Sequence, residues 1–154
     1  MEPIFPKPYE VIRLVLVLSL ALMSIELSAQ RQTSWQDLSK VEWGVKYLDV
    51  IEDSIMYPSF DPSIMELQNA QVRISGYIIP VDISQHIYVL SANPNASCFF
   101  CGFGGPESIV ELQLVDQSAI YSMDELLSFK GNLKLNWEDM MHFNYILENA
   151  TEAK

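Results

Sequence analysis

The chain after residue 70 alternates between apolar and polar residues with the two-residue period of β-strands. Residues 72–80 form the clearest strand, and Gly76 lies where a strongly bent barrel strand needs a kink. Further strands are predicted at residues 87–91, 109–115, 129–135 and 143–147. The pattern therefore predicts a mainly β fold, a small OB-like five-stranded barrel, although a strand count alone also allows a sandwich.

The segment before the barrel carries weaker, mixed signals. Ser34 and Asp37 have the spacing of a helix capping box, whereas Trp43, Val45 and Tyr47 alternate like a strand. We predict a short helix or turn followed by an edge strand.

Two more helical segments are predicted from capping signals and local composition. Asp61 and Pro62 resemble an N-cap and a first helical residue, and the helix is expected to run to about Asn69. Residues 136–141 are expected to form a single helical turn between the last two strands.

The N-terminus has the pattern of a secretory signal peptide. Lys7 and Arg13 precede an apolar run at residues 14–23, and the small residue Ala29 precedes Gln30. We predict a signal peptide at residues 1–29, with an uncleaved membrane anchor as the alternative. Residues 30–154 are then a single domain in a periplasmic or secreted location, and no cysteine near the predicted cleavage site would accept a lipid.

The net charge of the chain limits the kinds of molecule that it can be expected to bind. The 154 residues carry a formal net charge of −11 and no cluster of Lys or Arg. Such a chain repels nucleic-acid backbones and anionic membranes, so neither is an expected partner. Cations and basic proteins suit it better.

The most informative chemical motif is a C-x-x-C loop formed by Cys98 and Cys101. These are the two cysteines of the chain, and three glycines and a proline follow within five residues. Two thiolates are soft metal ligands, and a tetrahedral structural zinc site needs two further ligands. The candidates are His86 and Glu107, with His142 and Asp82 as further possibilities. Two thiolates alone suit Cu(I), so zinc and copper are the expected metals.

Other interpretations of the same loop stay open. In an oxidising compartment Cys98 and Cys101 could form a structural disulfide, or they could be buried thiols packed among phenylalanines. Thiol oxidoreductase activity is a lesser alternative, because no basic residue near the loop would stabilise a thiolate and Glu107 would oppose one.

No other catalytic motif is present, so the protein is not expected to be an enzyme. There is no nucleophile-elbow serine and no phosphate-binding loop. Five aromatic residues before the barrel could line a partner groove, although packing against the barrel explains them more simply: Trp35, Trp43, Tyr47, Tyr57 and Phe60.

Four segments together resemble a family of uncharacterised exported bacterial proteins: residues 72–80, 88–91, the Cys98 loop and residues 131–136. The resemblance covers roughly residues 35–150 and implies an OB-like barrel and export. It also implies an envelope or metal-homeostasis role, since members tend to be encoded near ABC transporters and zinc-response genes. The wider family has histidine where this chain has Phe100, while Cys101 adds a second soft ligand.

The leading hypothesis is an exported envelope accessory protein that handles zinc or copper through the C-x-x-C loop. The alternative is a non-catalytic interaction module that docks on a transporter or another envelope complex, with the loop as a structural disulfide. The partner in either case would be an envelope or ABC-transporter protein.

Overall fold

A computed structural model describes residues 31–49, 52–94 and 104–153 of the chain. The predicted signal peptide and both cysteines of the C-x-x-C loop lie outside these residues. The fold is mostly β, with 53% of the described residues in strands and 10% in helical segments. Within the described part of the chain, no helix is long and apolar enough to cross a membrane.

The elements follow one another in an order that places short helices and a hairpin before the barrel. The strands are β1 (Arg31–Gln32), β2 (Val41–Leu48), β3 (Asp53–Phe60), β4 (Gln71–Asp82), β5 (Ile87–Ser91), β6 (Ile109–Leu114), β7 (Leu126–Leu135) and β8 (Tyr145–Glu152). The helices are α1 (Trp35–Leu38) and α2 (Pro62–Met65), and a 3-10 turn covers Pro106–Ser108.

Strands β4 to β8 close into the OB-like barrel that the sequence predicts. The order is β4-β5-β6-β8-β7, and β7 pairs back onto β4. β6 and β8 are parallel, and the other barrel pairs are antiparallel. The prediction of a five-stranded barrel is confirmed.

The barrel closes because β4 pairs with two different strands along its length. Its first half pairs with β7 and its second half with β5, and Tyr77 takes part in both pairings. Gly76 lies next to this change of partner, as expected for a bent strand. A Cβ at Gly76 would lie 2.5 Å from the carbonyl oxygen of Ser91, so only glycine lets the two strands approach this closely.

Apolar side chains fill the barrel, and other segments plug its two ends. At one end Leu38 of α1 and Ile64 of α2 are buried against the strands. At the other end Tyr121 makes edge-to-face contacts with Tyr88 and Phe129. The remaining core comes from the inward face of each strand: Val72, Ile74, Leu90, Val110, Leu112, Leu133 and Leu147.

Both helices begin at the caps that the sequence predicts. Ser34 and Asp37 form a reciprocal capping box. Asp61 caps α2 by accepting a hydrogen bond from the Ser63 backbone N–H at 2.8 Å. α2 ends at Met65 rather than near Asn69, since residues 66–69 form a turn in which Asn69 has a φ of 61°.

The hairpin of β2 and β3 corrects the sequence analysis. β2 matches the predicted edge strand, but its partner is β3, which was not predicted, and the two form a separate sheet. Pro58 interrupts the β-like composition of β3, which explains why the pattern of that strand was weak. β1 was also missed, because two residues are too short to show a period.

Residues 136–144 form a tight, non-helical loop, so the predicted helical turn is wrong. The Asn136 side chain takes over the role that helical backbone bonds would have had. Its amide donates to the backbone oxygens of Asp139, His142 and Phe143, and its oxygen accepts from the backbone N–H of Asp139. The last strand accordingly begins at Tyr145, not at Phe143.

The α1 capping box should make stability depend on acid pH. Hydrogen bonds from the Ser34 hydroxyl and then from Lys40 lower the pKa of Asp37 from its ordinary value of 3.8 to about 2. A lowered folded-state pKa stabilises the protein above the ordinary value, and this contribution is lost as the pH falls through about 2. Because 43% of the side chain is exposed and solvent screens its interactions, we expect Asp37→Asn to cost less than about 1 kcal/mol at neutral pH.

Urea denaturation of the wild type and Asp37→Asn across the acid range would measure this contribution. The difference in free energy of unfolding should be constant near neutral pH and should shrink between pH 3.8 and about 2. A difference that stays the same down to the lowest pH would contradict the role assigned to the carboxylate.

Candidate functional site

The β2–β3 hairpin carries an apolar face that is only half covered by the barrel. The register pairs Val41 with Phe60, Trp43 with Pro58 and Val45 with Met56, so alternate residues share this face. Near the barrel the face is packed, with Pro58 buried and the Phe60 ring 5.5 Å from that of Tyr145.

The outer half of the same face overhangs the barrel. Val45 is 78% exposed, Tyr47 58% and Met56 59%. We name these three residues the overhang. Adjacent exposed apolar side chains on one sheet face are typical of surfaces that contact another molecule.

Glu107, predicted as a metal ligand, joins the hairpin to the barrel. It lies in the 3-10 turn before β6, and its Oε2 accepts a hydrogen bond from Trp43 Nε1 at 2.9 Å. One carboxylate oxygen is therefore occupied by an indole N–H. This contact links the hairpin to the 3-10 turn before β6.

His86, the other predicted non-cysteine ligand, lies at the far end of β5 from Glu107. Glu107 is near the β6 residue Ile109, which pairs with Ser91, whereas His86 immediately precedes the first residue of β5. At about 3.3 Å per residue the length of β5 separates them by roughly 15 Å. The structure thus does not bring His86 and Glu107 together.

The surroundings of His86 and Asp82 are those of a turn. His86 has a φ of 54°, and its buried Nδ1 has no hydrogen-bond partner among the residues that the structure describes. Asp82 accepts hydrogen bonds from the Ser84 hydroxyl and the Gln85 side-chain amide, and these bonds lower the pKa of its carboxyl group. Asp82 therefore closes the β4–β5 turn.

Cys98 and Cys101 lie in the undescribed segment 95–103. The metal site, the disulfide and the thiol-exchange site predicted for them stay predictions. In the described ranges 31–49, 52–94 and 104–153, no group of three or more His, Cys, Asp or Glu side chains could hold a metal ion.

A buried glutamate and a histidine form the most unusual polar contact in the described structure. Glu111 lies on β6 between Val89 and Ile146, and it is only 9% exposed. Its two oxygens lie 2.8 and 3.1 Å from His142 Nδ1, and one of them accepts the Phe143 backbone N–H at 3.2 Å. A buried carboxylate needs such partners, because leaving it unpaired would cost several kcal/mol.

The position of Glu111 is on the outside of the barrel. Ile109 shares its strand face and packs with Ile79, Val89 and Phe143 in a small second cluster, separate from the barrel core. The loop of residues 136–144 covers this cluster and brings His142 onto Glu111. Without the loop, the carboxylate would be exposed on the barrel surface.

A groove of about 200 Å³ separates this loop from β3. From β3 it is lined by Ile55, Met56 and Pro58, and from the loop by Trp137, Met140 and His142. Met140 is 59% exposed, as is Met56. The groove therefore combines two thioethers, an indole and an imidazole.

Sequence reasoning found part of this groove. His142 was a candidate ligand whose location depended on the strand register, whereas Tyr47, a candidate partner contact, lies in the overhang and not in the groove. Three residues were missed: Met56, Met140 and Glu111. Met56 lies on β3, which was not predicted. Glu111 interrupts an apolar strand, and no residue near it in the sequence indicates that its partner is a histidine. The contact between Glu111 and His142 depends on the parallel pairing of β6 with β8, and the spacing of residues along the chain does not predict that pairing.

Comparisons with known proteins extend this picture little. No family model and no curated protein matches the chain. Among solved structures, a DUF3299 family protein from Pseudomonas aeruginosa is similar over 82% of this chain and 97% of its own, with 12% identity and a TM-score of 0.47. That is a protein of a family of unknown function, and a similarity of this size carries no argument about activity. The export and gene contexts implied by the sequence resemblance stay predictions.

Proposed function

We propose that the protein is a non-catalytic binding module of the cell envelope. Its hairpin binds an extended, positively charged segment of a partner protein, which we expect to be an envelope or transporter protein. The single observation that carries the proposal is the overhang formed by Val45, Tyr47 and Met56 on the face whose inner half packs on the barrel.

The geometry favours binding of an extended segment. Among the described residues, the β2–β3 sheet pairs with no other strand, so its outer edges are open to strand addition. Pro58 removes one N–H from β3, whereas β2 contains no proline, so β2 offers the more complete edge. A partner strand on β2 would place alternate side chains beside the overhang.

Charge supports a basic partner. The hairpin end carries the exposed acidic residues Asp49, Glu52 and Asp53, within a chain of net charge −11. The cation Lys46 lies on the opposite face, with its Nζ 5.0 Å from the centre of the Tyr57 ring. Acidic groups near an apolar face favour segments that combine Lys or Arg with apolar side chains.

The metal-handling role predicted from Cys98 and Cys101 remains a separate proposal for the undescribed segment. The binding-module proposal does not require it. Loss of the cysteines should leave binding at the overhang unchanged, because neither cysteine belongs to the hairpin.

A displayed library of random short peptides would test the proposal. We expect the immobilised protein to enrich peptides that contain Lys or Arg together with apolar residues. Tyr47→Ser should weaken binding of an enriched peptide at least about tenfold, since exposed aromatic anchors carry much of the binding energy at such surfaces.

Ile120→Ser is the matched control. Ile120 is 74% exposed but lies in the loop after β6, at the other end of the barrel from the hairpin base. The control variant should bind like the wild type. Failure to enrich basic peptides, or equal loss of binding in both variants, would contradict the proposal.

A further inference from the structure

The groove between β3 and the loop of residues 136–144 holds Met140 and His142, which the binding-module proposal does not use, beside Met56 of the overhang. Met56 and Met140 supply thioether sulfur atoms from opposite walls, and His142 supplies an imidazole. Thioether and imidazole together suit soft, low-coordinate cations, above all Cu(I). Zinc is held by thiolate, imidazole and carboxylate, and no such cluster of three exists in the described part of the chain.

The contact between Glu111 and His142 prepares the imidazole to bind a metal. An ionised carboxylate only accepts hydrogen bonds, so the ring nitrogen Nδ1 at 2.8 Å from it carries the proton. In the neutral ring, Nε2 then carries the lone pair. Nε2 has no hydrogen-bond partner among the described residues, and the His142 side chain is 43% exposed at the groove.

The arrangement matches the hydrogen bonding that is usual around a metal-bound histidine. Such a histidine donates its other ring N–H to a carboxylate, which fixes the tautomer and makes the free nitrogen more basic. Burial of Glu111 and its bond from the Phe143 N–H hold the carboxylate in place. Glu111 is thus a positioning residue, not a ligand.

We propose that the groove binds one Cu(I) ion through His142 Nε2 and the sulfur atoms of Met56 and Met140. The exposed carboxylates of Glu138 and Asp139 also line the groove and contribute a negative field that attracts a cation. As hard oxygen ligands they do not compete with sulfur for Cu(I). Trp137 forms an apolar wall that limits water at the ion.

The cysteines of the C-x-x-C loop would bind the same metal, so the test begins from a full-length Cys98→Ser/Cys101→Ser variant. Equilibrium titration with Cu(I) under anaerobic conditions, using a colorimetric chelator as competitor, measures affinity and stoichiometry. Ag(I) serves as a redox-inert second probe. We expect one ion per chain, with sulfur and nitrogen neighbours in the copper X-ray absorption spectrum.

Three substitutions separate the roles of the residues. Met56→Leu and His142→Gln should each weaken Cu(I) binding at least tenfold, and Glu111→Gln about tenfold with the stoichiometry unchanged. Met123→Leu is the control, because Met123 is 54% exposed but lies in the loop between β6 and β7. Its affinity should match that of the parent.

The outcomes distinguish this site from the binding-module proposal. His142 lies outside the overhang, so peptide binding should persist in His142→Gln when metal binding is lost. A cysteine-free protein that binds neither Cu(I) nor Ag(I) would overturn the metal site alone. Unchanged affinity in both Met56→Leu and His142→Gln would also overturn it.

Discussion

Gly76→Ala should destabilise the barrel by about 3 kcal/mol, although it adds a single methyl group. That Cβ would lie 2.5 Å from the Ser91 carbonyl oxygen, 2.8 Å from the Trp35 ring and 2.9 Å from Leu90 Cγ. The nearest of these atoms belongs to the backbone of the paired strand β5, which cannot rotate away. Relief would require β4 and β5 to separate where the barrel closes.

Gly44→Ala is the matched control for this prediction. Gly44 also lies in a strand, but a Cβ there would meet only the Tyr57 carbonyl oxygen at 3.8 Å, an ordinary contact. We expect a change within about 0.5 kcal/mol, because the space is open and alanine restricts the unfolded chain. Free energies of unfolding from urea denaturation would compare the two. A Gly76→Ala loss no larger than that of Gly44→Ala would show that β4 bends without needing glycine.

The position of Gly76 illustrates what the sequence could predict. Strands β4 and β7 bury one face in the barrel, so their alternation appears directly in the sequence. Gly76 interrupts the alternation of β4, and a glycine at such a position indicates a bend where another backbone segment approaches closely. Fold class, barrel strands and helix caps were predictable because each depends on residues within a few positions of one another.

The candidate site depends on contacts between residues distant in sequence, and these were not predictable. His142 lies 31 positions from Glu111, and the two meet because β6 and β8 are parallel neighbours. Met56 reaches the same groove from β3, a strand that was not predicted because Pro58 interrupts its sequence pattern. The prediction of a helical turn at residues 136–141 was wrong, because the Asn136 side chain forms the hydrogen bonds to backbone groups that a helical turn would have formed.

The loop of residues 136–144 contacts both the hairpin, which carries the proposed peptide-binding surface, and the barrel, and it forms one wall of the proposed metal site. Trp137 contacts Phe60 of the hairpin at a ring distance of 5.9 Å, and His142 contacts Glu111 of the barrel. The loop therefore holds one wall of the groove against the hairpin and the barrel at once. Its internal hydrogen bonds depend mainly on one buried amide, that of Asn136, which is 7% exposed.

Asn136→Ala should cost about 3 kcal/mol of stability and should also weaken Cu(I) binding in the cysteine-free protein. The Asn136 amide donates to the Asp139 carbonyl oxygen at 2.7 Å and to the Phe143 carbonyl oxygen at 3.2 Å, and its oxygen accepts the Asp139 N–H at 3.0 Å. Alanine leaves these buried or half-buried backbone groups without their partner, and each such loss costs about 1 kcal/mol. The loop would then hold His142 less firmly on Glu111, so the imidazole would no longer be preorganised for the metal.

Asn144→Ala separates this effect from a general loss of loop polarity. The Asn144 amide makes one hydrogen bond, to the Asn136 carbonyl oxygen at 3.1 Å, so its loss should cost only about 1 kcal/mol. Urea denaturation gives the stability of both variants, and competition titration gives their Cu(I) affinity under conditions where each is folded. Equal stability losses would show that the Asn136 network is not what holds the loop. A folded Asn136→Ala protein with parental Cu(I) affinity would show that the Asn136 hydrogen bonds are not needed to position His142 for the metal.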